Sequence, residues 1–316
     1  MSKANTRIPS GRDCVAALLL ASALPAVPAT AADLTWNNVN GDWTVGTNWT
    51  PGGPPGVLDV AVINGFISTL NTDTTILGLN QAGGTISGTG ALTVTGPSTW
   101  TAGTQTGAGI TKFNGTLAIS GAGTKSITGG RVVSAGNTTT WSGNTGNGNN
   151  TITIASTSTF NNSGTFTESN GFASSINGGT FNNSSTFNKQ SATTTTISTV
   201  FNNTGTVNVD AGTMLMQSGG TSTGTFAIDA GAKLEMRNGT HVLNNVTTSG
   251  DGTLEISTEN VGADALVTIN GGTLNSAFLM SGSRMNGTDQ VFTGPATWTG
   301  GNITGLTTES TTFSGS

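Results

Sequence analysis

The feature that most limits what this chain can fold into is a phrase that keeps returning. Phe160–Phe166 reads F-N-N-S-G-T-F, Phe181–Phe187 reads F-N-N-S-S-T-F, and Phe201–Val207 reads F-N-N-T-G-T-V, so the leading Phe recurs at a nearly constant interval. Val209-Asp210-Ala211-Gly212 returns one such interval later as Ile228-Asp229-Ala230-Gly231. Leu92-Thr93-Val94, Leu117-Ala118-Ile119, Leu254-Glu255-Ile256 and Val267-Thr268-Ile269 alternate apolar and polar residues between Gly-rich breaks. That alternation predicts short half-buried strands of three to five residues.

A period near 20 with strands this short predicts a solenoid in which one repeat makes one coil. Each coil would lie about 4.8 Å above the last and pair its backbone with both neighbours. Phe, Val, Ile and Leu would point inward, and Gly and Asn would turn the corners. The paired Asn of each F-N-N unit would fall at one corner, where stacked amides can form a hydrogen-bonded ladder. A β-sandwich is the competing architecture, but nothing in it requires the same corner sequence at a fixed interval. Composition agrees with an all-β chain. Gly (48), Thr (61), Asn (32) and Ser (30) make up 171 of the 316 residues, and all four are weak helix formers.

The N-terminus follows another rule. Lys3, Arg7 and Arg12 precede an apolar run from Cys14 to Leu24, and Ala29-Thr30-Ala31 has the small-x-small pattern of a cleavage site. Residues 1–31 are expected to be a secretory signal peptide, cut after Ala31 or one residue later. Cleavage would leave 7 Lys/Arg (10 − 3) and 14 Asp/Glu (15 − 1), a net charge of −7, and would remove the only cysteine. The mature chain would then have no disulfide to staple it. Ten basic residues and a pI near 4.6 leave no footprint for nucleic acid, and no segment after residue 31 is apolar enough for a helical membrane span. The length left after cleavage, at about 20 per coil, predicts about 14 coils.

Trp36, Trp43 and Trp49 crowd the expected mature start. They predict a capping segment over residues 32–66, followed by solenoid repeats over 67–316. A longer echo links Thr95-Gly-Pro-Ser-Thr-Trp100-Thr-Ala-Gly103 to Thr293-Gly-Pro-Ala-Thr-Trp298-Thr-Gly-Gly301. The first copy runs on into Thr116-Leu-Ala-Ile-Ser120, whereas the second stops at Ser316 before that strand. Because solenoids need capped ends, this predicts the N-terminal part of a longer protein.

The phrases F-N-N-[ST]-G-T, D-A-G-T-M-L, S-T-G-T-F-A-I-D-A-G-A-K-L-E and T-G-P-A-T-W-T-G-G-N-I-T-G resemble the repeats of large secreted bacterial proteins. Among these are autotransporter passengers, filamentous-haemagglutinin-like adhesins and repeat proteins with a C-terminal sorting signal. The mature start, from Leu34-Thr-Trp36 to Asp59-Val-Ala-Val-Ile63, is similar to the opening of many such passengers. The resemblance implies a right-handed parallel β-helix exported to the cell surface or beyond. The chain departs from the family in having no translocator barrel, sorting tail or anchoring motif after its repeats.

Signals for chemistry are few. His241 is the only histidine and has no nucleophile elbow to serve. One His without cysteine cannot build the usual zinc site. The Gly-x-Gly steps lack the third glycine and the helix of a dinucleotide site. Asp210 and Asp229 hold equivalent places in adjacent repeats, so their carboxylates could stack about 5 Å apart, as a Ca²⁺ site or an acid–nucleophile pair would need. The competing reading is that each Asp-Ala-Gly is a turn. Lys233 and Arg237 are the nearest bases in sequence, with nothing linking them to that pair. Asp251, Glu255, Glu259 and Asp264 read as a solvated acidic face. Trp100 and Trp298 match by repeat, which suits packing, with glycan stacking as the sharper alternative. The expectation is therefore a non-enzymatic surface or extracellular β-helix, adhesin-like or a structural rod, that contacts glycans or neighbouring cell surfaces and carries no cofactor. A polysaccharide lyase or hydrolase on the same scaffold is the alternative.

Overall fold

A computed structural model of the chain describes residues 31–143, 150–258, 264–304 and 312–313. Residues 1–30 of the expected signal peptide, Glu259 and the segment 144–149 lie outside these residues. The described chain is almost entirely strand, with one 3₁₀ turn at Gly46–Asn48, and among the described residues no helix is long and apolar enough to cross a membrane. Strands pair in parallel with the coil before and the coil after, which makes a β-solenoid of about 12 turns. The turn count is below 14 because several coils are well over 20 residues long. Val60 pairs with Gly78, whereas Thr139 pairs with Phe166, a coil half as long again.

Where the repeats are most regular, each coil lays down three strand segments, such as Thr159–Asn162, Thr165–Glu168 and the start of Ser174–Asn183. Inward side chains then stack in columns. Phe160, Phe181 and Phe201 lie in register, with successive rings nearly parallel at 5.0 and 5.5 Å. Phe166 stacks on Phe187 at 5.1 Å, and the two columns meet edge to face at 5.5–5.7 Å. Both are favoured aromatic geometries. A third column runs Ile152, Ile176, Ile197, Met216, Met236, Ile256 and Met280. The flexible Met residues take over where the Phe stacks end.

The two Asn of each F-N-N unit do not share one corner; they lie on opposite sides of the strand. Asn162 donates to Asn183 Oδ1 (2.7 Å) and Asn183 to Asn203 Oδ1 (2.8 Å), forming a buried ladder. Asn182 donates to Asn161 Oδ1 (2.8 Å) and Asn202 to Asn182 Oδ1 (2.9 Å), forming an outer ladder that runs the other way. The period-2 alternation of a strand forces this split.

At the first coil Trp36, Trp43 and Trp49 are buried and packed edge to face at 4.9 and 4.7 Å. Trp49 Nε1 donates to Trp43 O (2.8 Å). Trp49–Thr50 pairs antiparallel with Asp33–Trp36, which pairs in parallel with Val60–Ile63 on its other edge. The antiparallel pairing covers only Thr35 and Trp36 of the first strand.

Candidate functional site

Acids and bases do converge on neighbouring coils, but at residues other than the Asp pair. Glu235 and Glu255 are in direct register on the parallel strands Lys233–Met236 and Thr253–Ile256. Lys233 Nζ bridges them, 3.2 Å from Glu235 Oε2 and 2.8 Å from Glu255 Oε2. Arg237 donates through Nε and Nη2 to Glu235 Oε1 (2.9 and 2.7 Å). Ser257 Oγ also reaches Glu235 Oε1, and Ser281 Oγ reaches Glu255 Oε1, each at 2.6 Å. Glu235 is only 4% exposed and Glu255 8%, so the reading of Glu255 as part of a solvated face is overturned. Strand alternation aims both side chains outward, and the surrounding hydroxyls and cations close over them. Burial raises the Glu235 carboxyl, but Ser257, Arg237 and Lys233 outweigh it and hold the group below the ordinary carboxylate value. Burial lowers Lys233, and its two glutamates outweigh that to raise it.

A second charged network lies inside the solenoid. Glu168 and Lys189 are register partners and fully buried. Ser191 Oγ donates to Glu168 Oε2 (2.7 Å) and accepts from Lys189 Nζ (2.9 Å), joining the two charges. Asn170 and Ser174 donate to Glu168 Oε1, and Lys189 also donates to the carbonyls of Ser191, Thr193 and Ala211. Burial lowers the Lys189 ammonium to about 8, against the pull of Glu168. Lys125, also buried, is lowered to about 8 by burial alone.

Asp210 and Asp229 do follow paired residues, Val209↔Ile228, on adjacent coils. Asp210 is half-buried and accepts from Gln190 Nε2 (3.2 Å); Asp229 is exposed and begins a turn closed by Ala232 N donating to its carbonyl (2.9 Å). Lys233 and Arg237 are committed to the glutamates. His241 is buried, bonded through Nε2 to Asn238 O (2.8 Å), and lowered by burial. Trp100 is only 1% exposed, with Ile119 of the next coil in register with it. Its ring has no face for a sugar, and that candidate is withdrawn. Trp298 is 62% exposed.

One stretch of outer face is uniform. Thr165, Thr186, Thr206, Thr225, Thr247 and Thr273 stand in register on six successive coils. Next to this column on the same face lie Thr167, Asn188, Asn208, Ala227 and Ser249. Asn208 donates to Asn188 Oδ1 (2.8 Å), and Thr225 Oγ1 to Thr206 Oγ1 (3.1 Å). These columns hold no charged residue. Thr precedes an apolar residue in most of these strands, but only the register shows that the threonines share one column.

Among the described residues no three His, Cys, Asp or Glu side chains converge as a metal site would need. Among the described residues, clefts open beside Thr47 and Trp49, beside Gly143 and Gly171, beside Gly179 and Thr199, and beside Phe278 and Trp298, and none of these is lined by Asp210, Asp229, Glu235 or Glu255. No protein-family model, curated protein or solved structure matches this chain.

Proposed function

We propose that this chain is the β-solenoid of an exported, non-enzymatic surface protein, adhesin-like or structural, and that its uncharged outer columns make the contacts. The observation that carries the reading is the in-register column of six threonines beside a Thr/Asn/Ser column. Hydroxyls and amides repeating about every 4.8 Å on a rigid sheet suit an extended, neutral partner such as a glycan chain. Residues 1–31 supply the export signal.

The test is to incubate the purified protein with a polysaccharide panel and read both retention and reducing-end release. Retention without release is expected, and Thr206→Lys with Asn208→Lys should abolish it while leaving the far-ultraviolet spectrum unchanged. The second reading, a polysaccharide lyase or hydrolase, draws on the in-register Glu235 and Glu255 beside Lys233 and Arg237. Release that disappears in Glu235→Gln or Glu255→Gln, or in the Asp210→Asn/Asp229→Asn pair, would replace the first reading with this one.

A further inference from the structure

Asparagine followed by glycine is the step at which a main chain most readily rearranges, because glycine has no side chain to keep its nitrogen from the amide carbon before it. Such steps recur along this chain, and the fold treats them differently. Asn40 Oδ1 accepts from Ile67 N (2.9 Å), Asn170 Nδ2 donates to Glu168 Oε1 (2.8 Å), and Asn270 Nδ2 donates to Asn244 Oδ1 (3.0 Å). Asn177 Nδ2 donates to Ser175 Oγ (3.2 Å), and His241 Nε2 holds the Asn238 carbonyl. Asn286 and Gly287 lie inside the paired strand Ala277–Thr288. Asn114 is exposed, but Gly115 N donates to Val94 O (3.4 Å), and a Cβ on Gly115 would stand 2.1 Å from Gly96 O. Asn64–Gly65 has none of these restraints. Asn64 is exposed, its side chain has no hydrogen-bond partner among the described residues, and Gly65 N donates to no backbone carbonyl there. A Cβ on Gly65 would meet nothing within 4 Å.

We infer that Asn64–Gly65 is a site of covalent self-modification, at which the folded chain converts asparagine to isoaspartate through a succinimide. Gly65 N gives up its proton to hydroxide from solvent and bonds to Asn64 Cγ. The Cγ–Nδ2 bond breaks, and ammonia leaves with a proton taken from water. Water then opens the ring. Attack at the Asn64 backbone carbonyl carbon breaks its bond to Gly65 N and leaves isoaspartate, whereas attack at Cγ leaves aspartate. No oxidant, metal or other protein enters. The change falls where coils touch. Gly83 and Gly84 of the next coil press on this step, and a Cβ on Gly83 would stand 2.5 Å from Asn64 O and one on Gly84 2.5 Å from Gly65 O. Isoaspartate adds a methylene to the main chain at that contact and a carboxylate close in sequence to Phe66, which is 50% exposed. The nearby bond from Thr85 N to Phe66 O (2.7 Å) joins the same two coils.

The test holds the full chain near neutral pH, folded in buffer or unfolded in guanidinium, and maps its Asn–Gly peptides over time. Amide-to-acid conversion is read by mass, and isoaspartate by S-adenosylmethionine-dependent carboxyl methylation. In buffer, Asn64 should convert ahead of Asn114 by about fivefold or more, the rate equivalent of one net hydrogen bond. In guanidinium every such glycine nitrogen is free, and that lead should disappear. Asn147–Gly148 lies outside the described residues and is left out of the comparison. Gly65→Ala, at a position with open space and no left-handed backbone, should lose the early conversion and keep the thermal midpoint. Hydrogen exchange at Thr85 N should quicken in the converted protein. Asn64 converting no faster than Asn114 in the folded chain would overturn the inference. So would a lead of the same size in guanidinium, which would trace it to local sequence, or a Gly65→Ala variant that folds and converts as fast.

Discussion

A buried asparagine is costly unless both ends of its amide find partners. Asn183 meets that demand: its Nδ2 donates to Asn203 Oδ1, Ser185 O and Thr206 O, and its Oδ1 accepts from Asn162. Its neighbour Asn182 makes the same kind of ladder bond on the outer face, where water can replace it. Asn183→Ala should therefore cost about 1–3 kcal/mol, and Asn182→Ala should stay within about 0.5 kcal/mol, by urea unfolding. Equal losses would mean that ladder bonding, not burial, sets the worth of these residues. The existence of a ladder was readable from the repeated Asn pair, and its two opposed directions were not. The Glu235–Glu255 contact was hidden for a related reason. In K-L-E-M and T-L-E-I the alternation sends Leu inward and Glu outward, and nothing local tells that Lys233, Ser257 and Ser281 close over the outward side.

Strands and corners show what the repeat phrase is for. Its glycine sits where one coil's backbone presses on the next: a Cβ on Gly205 would lie 2.0 Å from Ser185 O, and one on Gly164 2.1 Å from Asn137 O. The middle repeat carries Ser185 at the same place, so this corner admits a side chain at one level and not at the next. Gly205→Ala should cost about 1–3 kcal/mol through overpacking, while Ser185→Ala should be near neutral; thermal unfolding of the two variants checks this. Similar losses would show that the corner relaxes. Strand length was the element-scale surprise. Strands of three to five residues were expected, yet Ser174–Asn183 runs for 10 and Ala277–Thr288 for 12. In the first, Gly178 and Gly179 adopt φ of +71° and +41°, which bends the chain round a corner while pairing resumes on the far side.

Across the whole molecule, buried cations set the pH dependence of stability. Lys189 and Lys125 are each lowered to about 8 in the fold, whereas the unfolded chain keeps such groups protonated to about 10.4. Between these values the unfolded state holds more protons, so stability rises with pH. Below pH 8 the penalty is fully present. Glu235 works at the acid end: its depressed value gives stability above the ordinary carboxylate range that is lost as pH falls through the folded value. His241, lowered by burial, likewise costs stability as pH falls through 6.5. The raised Lys233 opposes the trend only above its ordinary value. The urea midpoint should climb from pH 7 to pH 10, and Lys125→Met should flatten the climb. A midpoint that falls over this interval would refute the assignment.

Fold class, coil period and the identity of the core were legible in the chain because each depends on spacing alone: alternation of two along a strand and a regular return between strands. Tertiary structure decided everything that depends on which outward side chains become neighbours. Glu255 looks solvated in its own segment and is clamped by residues from the coils on either side. Burial of an outward residue comes from the coil stacked against it, a full repeat away along the chain, and no local pattern carries that information.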